Sequence, residues 1–358
     1  MRRRRARGLL DHCEAKAYTW RFANGGLTVR AIGGAIAVLL LASPSGCEKA
    51  IRQPKGEEGV VLSADVPVRN STAVLAIELT RLQRGEEVEI LERKGAEWMR
   101  VRTRGGVEGW VEARYVLSKR AFEHAQALER EMAEIQRQAL GQLVGSAAIR
   151  LTPGRASEEN VLFYAPAGTL VEILRRERTS RLGQDVLPRR YRPDARRVRS
   201  PESLPPSDLW YCVRLPESFL VRVGWVYAPL VELKVPDRLR HLQGEYAFVA
   251  WYELASVEDP EIGTSYHYLT FDTHRTAPVP GTDFERLRLW IWDIERHRYT
   301  IGRWEIAYGV LPIEHRRDAT LHRFRMRLYD PKTGELNDVE YHVDVSDRFA
   351  PRLLRSRP

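Results

Sequence analysis

The stretch GEEVEIL at residues 85–91 returns as GTLVEIL at residues 168–174. Other blocks recur on both sides of it. Trp98-Met99-Arg100-Val101-Arg102 is answered by Trp210-Tyr211-Cys212-Val213-Arg214, and Gly109-Trp110-Val111 by Gly224-Trp225-Val226. Upstream, Pro67-Val68-Arg69 is answered by Ala148-Ile149-Arg150. Four blocks in one order read as a duplicated unit. Gly85 to Trp98 spans 13 residues and Gly168 to Trp210 spans 42, so the second copy carries 29 extra residues.

Each block has the chemistry of a half-buried strand. Val88 and Ile90 alternate with Glu87 and Glu89, and Val101 sits between Arg100 and Arg102. Such alternation gives one apolar and one wet face. Arg84-Gly85, Lys94-Gly95 and Arg104-Gly105-Gly106 supply turns. Short strands at this spacing, in units of about 60 residues, predict two small β-barrels.

The ordered set of a "VR" segment, a Gly-turn into "GxxVEIL", a "WxxV" strand, "GWV" and a closing aromatic (Tyr115) resembles the bacterial SH3-like domain. The resemblance covers 61–117 closely and 145–233 more loosely. It implies two tandem SH3-like copies in an exported envelope protein that binds cell-wall peptide, peptidoglycan or a partner protein. Trp110, Tyr115, Trp225 and Tyr227 are the candidate groove residues, since aromatics offer flat amphipathic contact area. Trp98 and Trp210 read as core, because so small a unit needs large side chains to bury enough area.

Between the copies, Phe122, Ala125, Leu128, Met132, Ile135 and Ala139 recur at steps of three and four and predict a helix over 118–140, capped by Ser118 and Gly141. The extra residues of the second copy, about 178–207, are rich in Arg and broken by five prolines, which exclude regular structure. Arg189, Arg190, Arg196 and Arg197 are candidates for holding carboxylates or phosphates there. Beyond residue 240, strand-like runs at Tyr246–Leu254, 287–292, 298–306, 324–329 and 339–345 predict an antiparallel C-terminal domain, a sandwich or a broad barrel.

The N-terminus distorts the composition. The chain has 358 residues and a formal charge of +9. AIGGAIAVLLLA (31–42), preceded by Arg30 and followed by small residues up to Cys47, reads as a secretory leader, too short to span a membrane once mature. Small residues before the cysteine resemble a bacterial lipoprotein signal, although Pro44 stands where Leu is usual. That resemblance implies a lipid on Cys47 and a membrane anchor. Residues 1–28 are unlike a leader's short basic start, and Val29 is read as the true initiator. Residues 1–46 hold eight basic and two acidic residues. The remainder carries 49 basic and 46 acidic, a net +3, and nucleic acid drops out as a partner.

The chemistry reads as absent. Six of the nine histidines, His267, His274, His297, His315, His322 and His342, lie in the tail and read as surface strand positions without metal spacing. Cys212 sits mid-strand, far from the environment a nucleophilic cysteine needs. No cofactor or metal motif is present, and the Cys/His catalytic domain of the cell-wall peptidases that often carry SH3-like domains is missing. The resulting reading is mainly β. It divides into a leader at 1–46, a linker at 47–58, an SH3-like barrel at 59–117, a helix at 118–141, a second barrel at 142–235 and a β domain at 240–358. The function expected is non-catalytic binding at the cell envelope, facing the periplasm or cell surface. The alternatives are a structural part of an envelope assembly, or an enzyme with its site in the tail.

Overall fold

The duplicated blocks form two sheets of the same topology. In the first, strands β1 (Glu57–Val61), β2 (Val66–Arg69), β3 (Glu78–Leu82), β4 (Glu87–Lys94), β5 (Trp98–Thr103), β6 (Glu108–Glu112) and β7 (Val116–Ser118) lie in the order β3-β2-β6-β5-β4-β1-β7. In the second, β8 (Ala139–Leu143), β9 (Ala147–Arg150), β10 (Val161–Ala165), β11 (Leu170–Ser180), β12 (Ser207–Arg214), β13 (Val223–Tyr227) and β14 (Val231–Leu233) lie in the order β10-β9-β13-β12-β11-β8-β14. The orders match strand for strand. This computed structural model describes residues 56–155, 160–180, 207–276, 278–330 and 332–356. All of them lie in the unit 54–358.

The match extends to single residues. Arg69 pairs across the ladder with Trp110, and Arg150 with Trp225. Both β4–β5 and β11–β12 shift register one residue after the isoleucine, at Ile90 and Ile173. In both copies the glycine of the Gly-Trp-Val block is forced by close approach. A Cβ on Gly109 would stand 2.7 Å from the Arg69 carbonyl oxygen, and one on Gly224 would stand 3.0 Å from that of Arg150. The predicted alternation is realised: Val88, Ile90, Met99, Val101 and Val111 are buried together with Val68 and Leu82. The expected barrels are not closed, however. Their edge strands, β3 and β7 in one sheet and β10 and β14 in the other, do not pair, so each sheet stays open.

The connecting helix, α1, is shorter than its apolar stripe. It runs Lys119–Glu131, capped by the Ser118 hydroxyl, which accepts from the Ala121 N–H. The chain then straightens, and Ala139–Leu143 becomes β8, laddered to β11 and β14. Gly141 is therefore a strand residue, not a helix cap, and a Cβ there would stand 2.5 Å from Val231 Cγ1. Sheet pairing of Ala139–Leu143 outweighs the helical period of Ile135 and Ala139. The inserted residues also start later than the prolines suggest. β11 and β12 stay paired to Ser180↔Ser207, so Arg178 and Ser207 belong to strands.

The third sheet is a meander in chain order: β15 (Tyr246–Asp259), β16 (Gly263–His274), β17 (Phe284–Asp293), β18 (Arg298–Asp318), β19 (Leu321–Tyr329), β20 (Leu336–Asp344) and β21 (Arg352–Arg355). It is neither a two-sheet sandwich nor a closed barrel, since β15 and β21 do not pair. All seven strands feed one core, from Tyr252 and Phe271 to Tyr341 and Leu353. Register shifts in β15 and near the middle of β18 bend these long strands and let one sheet curl over its own apolar face. As expected, β17 is covered on both sides. Leu287 and Leu289 enter the main core, and Trp290 packs with Phe248, Tyr268 and Leu239 of α2 (Asp237–Arg240).

Candidate functional site

The two copies differ in what covers the outer face of their central strands. In the first, Arg100 and Arg102 point outward and pair with Glu108 at 2.9 and 2.8 Å, and Arg102 also pairs with Glu89 at 2.6 Å. In the second, the same positions are Cys212 and Arg214. Cys212 is buried with Trp210, Trp225, Leu174 and Met132 under the end of α1. Arg214 keeps the equivalent partner, Glu172, at 3.0 Å and turns its other amino group to the carbonyls of Met132 and Ile135. The second copy is thus sealed by the helix and its exit, and the first is wet. Arginine stacking persists in both: Arg69 lies 5.9 Å from the Trp98 ring and Arg150 lies 5.9 Å from that of Trp210.

Between the copies lies a cleft of about 930 Å³. Trp98 and Tyr115 form the wall on the first copy's side; Phe163, Tyr164 and Phe219 form it on the second's. Tyr164 is 63% exposed, so its ring is presented rather than packed. Phe163 and Phe219 lie 5.7 Å apart and hold each other in place, and the Arg114 guanidinium lies 4.7 Å from the Tyr115 ring. A second cleft of about 830 Å³ shares Ala96, Arg114, Phe163 and Tyr164 with the first and runs on to Arg120 and His124 of α1. An open groove with aromatic walls suits an extended peptide or a sugar ring.

Of the groove residues expected from the sequence, the structure brings Tyr115 alone to this cleft. Trp110 is half-buried on the outer face of the first sheet, with the Lys94 amine 5.7 Å from its ring. Trp225 corrects the expectation outright: it is 6% exposed and enclosed by Met132, Leu174 and Trp210. Tyr227 is half-buried against Trp210, with Arg155 4.3 Å over its ring and its hydroxyl donating to Asp208 at 3.4 Å. Trp98, expected as core, is a half-buried cleft wall. Phe163, Tyr164 and Phe219 escaped the sequence reading, because they belong to no repeated block. The adjacent aromatic pair Phe163-Tyr164 in a short strand was the available signal, since neighbours in a strand face opposite sides. Cys47 and Arg189, Arg190, Arg196 and Arg197 lie outside the described residues.

The tail histidines were expected at the surface, yet His267 and His322 are fully buried. His267 accepts from the Trp292 N–H at Nδ1, and its Nε2 lies 2.6 Å from the Arg348 carbonyl. His322 Nδ1 lies 2.9 Å from His315 Nε2, and both rings stack with Phe324. Burial drives both of these histidines down to about 4, with Arg317 adding repulsion. Asp259 is buried too, but hydrogen bonds from His297, Trp292 and the N–H groups of Glu261 and Ile262 hold it below the usual carboxylate range. Burial pushes the Cys212 thiol up to about 12, the reverse of an activated nucleophile. Among the described residues no group of three or more His, Cys, Asp or Glu side chains could hold a metal, and no helix is long and apolar enough to cross a membrane.

Comparison with known proteins matches a family described as Bacterial SH3 domain to residues 77–116, from the start of β3 to the start of β7. No protein of curated function matches the chain significantly. Solved structures that match include an NlpC/P60 family protein from Bacillus cereus ATCC 10987, at 12% identity and a TM-score of 0.17, over 51% of this chain and 57% of that one. The chain therefore spans little more than half the length of that protein. NlpC2 from Trichomonas vaginalis matches at 13% identity and 0.16, over 84% and 94%, and NlpC1 at 11% and 0.17, over 70% and 88%. At such values no residue correspondence is drawn. The matches do correct one expectation. The expectation that this chain is not an enzyme is withdrawn, since NlpC/P60 family proteins stand among the solved structures that match. Residues 77–116 form a bacterial SH3 domain, of a kind that occurs in cell-envelope proteins and commonly binds peptidoglycan or cell-wall peptides.

Proposed function

We propose that this chain works at the bacterial cell envelope and binds cell-wall peptide in the aromatic cleft between the two repeated sheets. The observation that carries the reading is the convergence of Trp98, Tyr115, Phe163, Tyr164 and Phe219 on one open groove. In this reading both sheets are SH3-like units, at 59–117 and at 142–235 with the strand pairing of the second beginning at Ala139. The leader 1–46 directs export, a lipid on Cys47 anchors the chain, and 240–358 forms a separate β module.

The test is pelleting of the protein with purified peptidoglycan. Replacing Trp98 and Tyr164 together by Ala is expected to weaken pelleting about tenfold or more, since truncated aromatic anchors cost about 1–2 kcal/mol. Trp110→Ala, outside the cleft, is expected to leave it intact. Equal pelleting of the native protein and both variants would remove the cleft from the reading. A structural role in an envelope assembly is the second reading, favoured by Val74 and Leu75, which are 95% and 93% exposed on the β2–β3 loop. It takes the place of the first if the native protein does not pellet at all.

A further inference from the structure

The groove has a charge direction. Glu97, Glu112 and Arg114 border the first cleft; Glu57, Arg93, Arg114, Arg120 and His124 border the second. Most of these neutralise one another. Arg114 pairs with Glu112 at 2.7 Å, and Arg93 pairs with Glu57 at 2.8 Å. Three groups are left without an ion-pair partner among the described residues: Glu97 in the first cleft, Arg120 and His124 in the second. Arg120 and His124 stand in the first two turns of α1, where the helix dipole adds to the positive potential. The clefts meet at Ala96, Arg114, Phe163 and Tyr164, so one continuous groove carries an uncompensated anion in its first part and an uncompensated cation in its second.

We infer that the groove takes an extended zwitterionic peptide, with a side-chain amine at Glu97 and a carboxylate at Arg120, its backbone lying over Tyr164 between them. The inference rests on the peptide-binding reading and adds the class and polarity of the ligand. Charge at the rim of a groove sets orientation and partner choice more than raw affinity. A uniformly charged peptide gains at one of these groups and loses at the other, and an uncharged one gains at neither. A peptide with an amine and a carboxylate at a distance gains at both.

The probe is N-acetyl-L-Ala-D-Gln-L-Lys-D-Ala, in which the lysine amine is the sole cation and the C-terminal carboxylate the sole anion, titrated into the full chain with calorimetric detection. Acetylating that amine is expected to weaken binding about fivefold to tenfold in the native protein and to change nothing in Glu97→Gln. Amidating the C-terminal carboxylate is expected to do the same in the native protein and to change nothing in Arg120→Gln. Both side chains are exposed, so neither substitution disturbs the core. Binding that ignores both modifications overturns the polarity while the peptide-binding reading stands. Failure of every peptide to bind, with pelleting on peptidoglycan retained, overturns the inference alone. Loss of pelleting as well overturns the reading beneath it.

Discussion

Gly224 and Gly109 show how tightly one residue can be specified. Each sits where β9 or β2 crosses the Gly-Trp-Val strand, and each faces a carbonyl oxygen and a branched side chain. Gly224→Ala is expected to destabilise the protein by about 1–3 kcal/mol, because the added methyl would stand 2.4 Å from Ile149 Cγ2 and 3.0 Å from the Arg150 carbonyl oxygen. Chemical denaturation measures it, and an unchanged midpoint would contradict the close approach. The histidine pair carries a pH signature. His315 and His322 are driven below their ordinary value of 6.5 to about 4, so the fold favours their neutral forms. Their contribution is whole above pH 6.5 and is lost as pH falls toward 4. The groups facing them are Arg317, Phe324 and Tyr252, and Arg317 opposes a second positive charge. Replacing both histidines by Phe is expected to flatten the fall in melting temperature between pH 6.5 and 4 relative to the native protein. An identical slope would show that other groups govern acid loss.

At the scale of elements, the exit from α1 does more than connect. Gln138 is fully buried; its Oε1 accepts from the Ile313 N–H at 2.8 Å and the Tyr252 hydroxyl at 3.0 Å. Its Nε2 donates to the carbonyls of Gln136 and Ile313, and its own carbonyl accepts from the Trp251 N–H. One side chain thus joins the helix exit to β15 and β18 of the third sheet. Gln138→Leu would leave the buried Ile313 N–H unpaired, while the Tyr252 hydroxyl still reaches the Ile313 carbonyl at 3.3 Å, and is expected to cost about 1–3 kcal/mol. The loss is read in the urea midpoint, and a change below about 1 kcal/mol would show that water repairs the gap. The helical period running on to Ala139 gave no hint of this. Periodicity records which residues prefer a common face, not where a competing ladder with β11 begins.

Across the whole molecule, the repeat was legible and the cleft was not. Gly85–Leu91, Trp98–Arg102 and Gly109–Val111 carry strand alternation and turn glycines within a few residues of one another, so local chemistry alone places them and predicts that the second copy repeats the first. Even the difference in their outer faces was visible, as Arg100 giving way to Cys212. The cleft depends on Tyr115 meeting Tyr164 and Phe219, residues of the two different repeats whose meeting no local pattern encodes. Trp225 and His322 were misplaced for the same reason. Their surroundings are α1 and the facing strands, and burial is a property of what packs above a strand, not of the strand. The sequence by itself determined a mainly β chain with a duplicated unit, because alternation and turns are short-range. Tertiary structure decided which aromatics are core and which are presented, because only packing of distant elements fixes what is withdrawn from water.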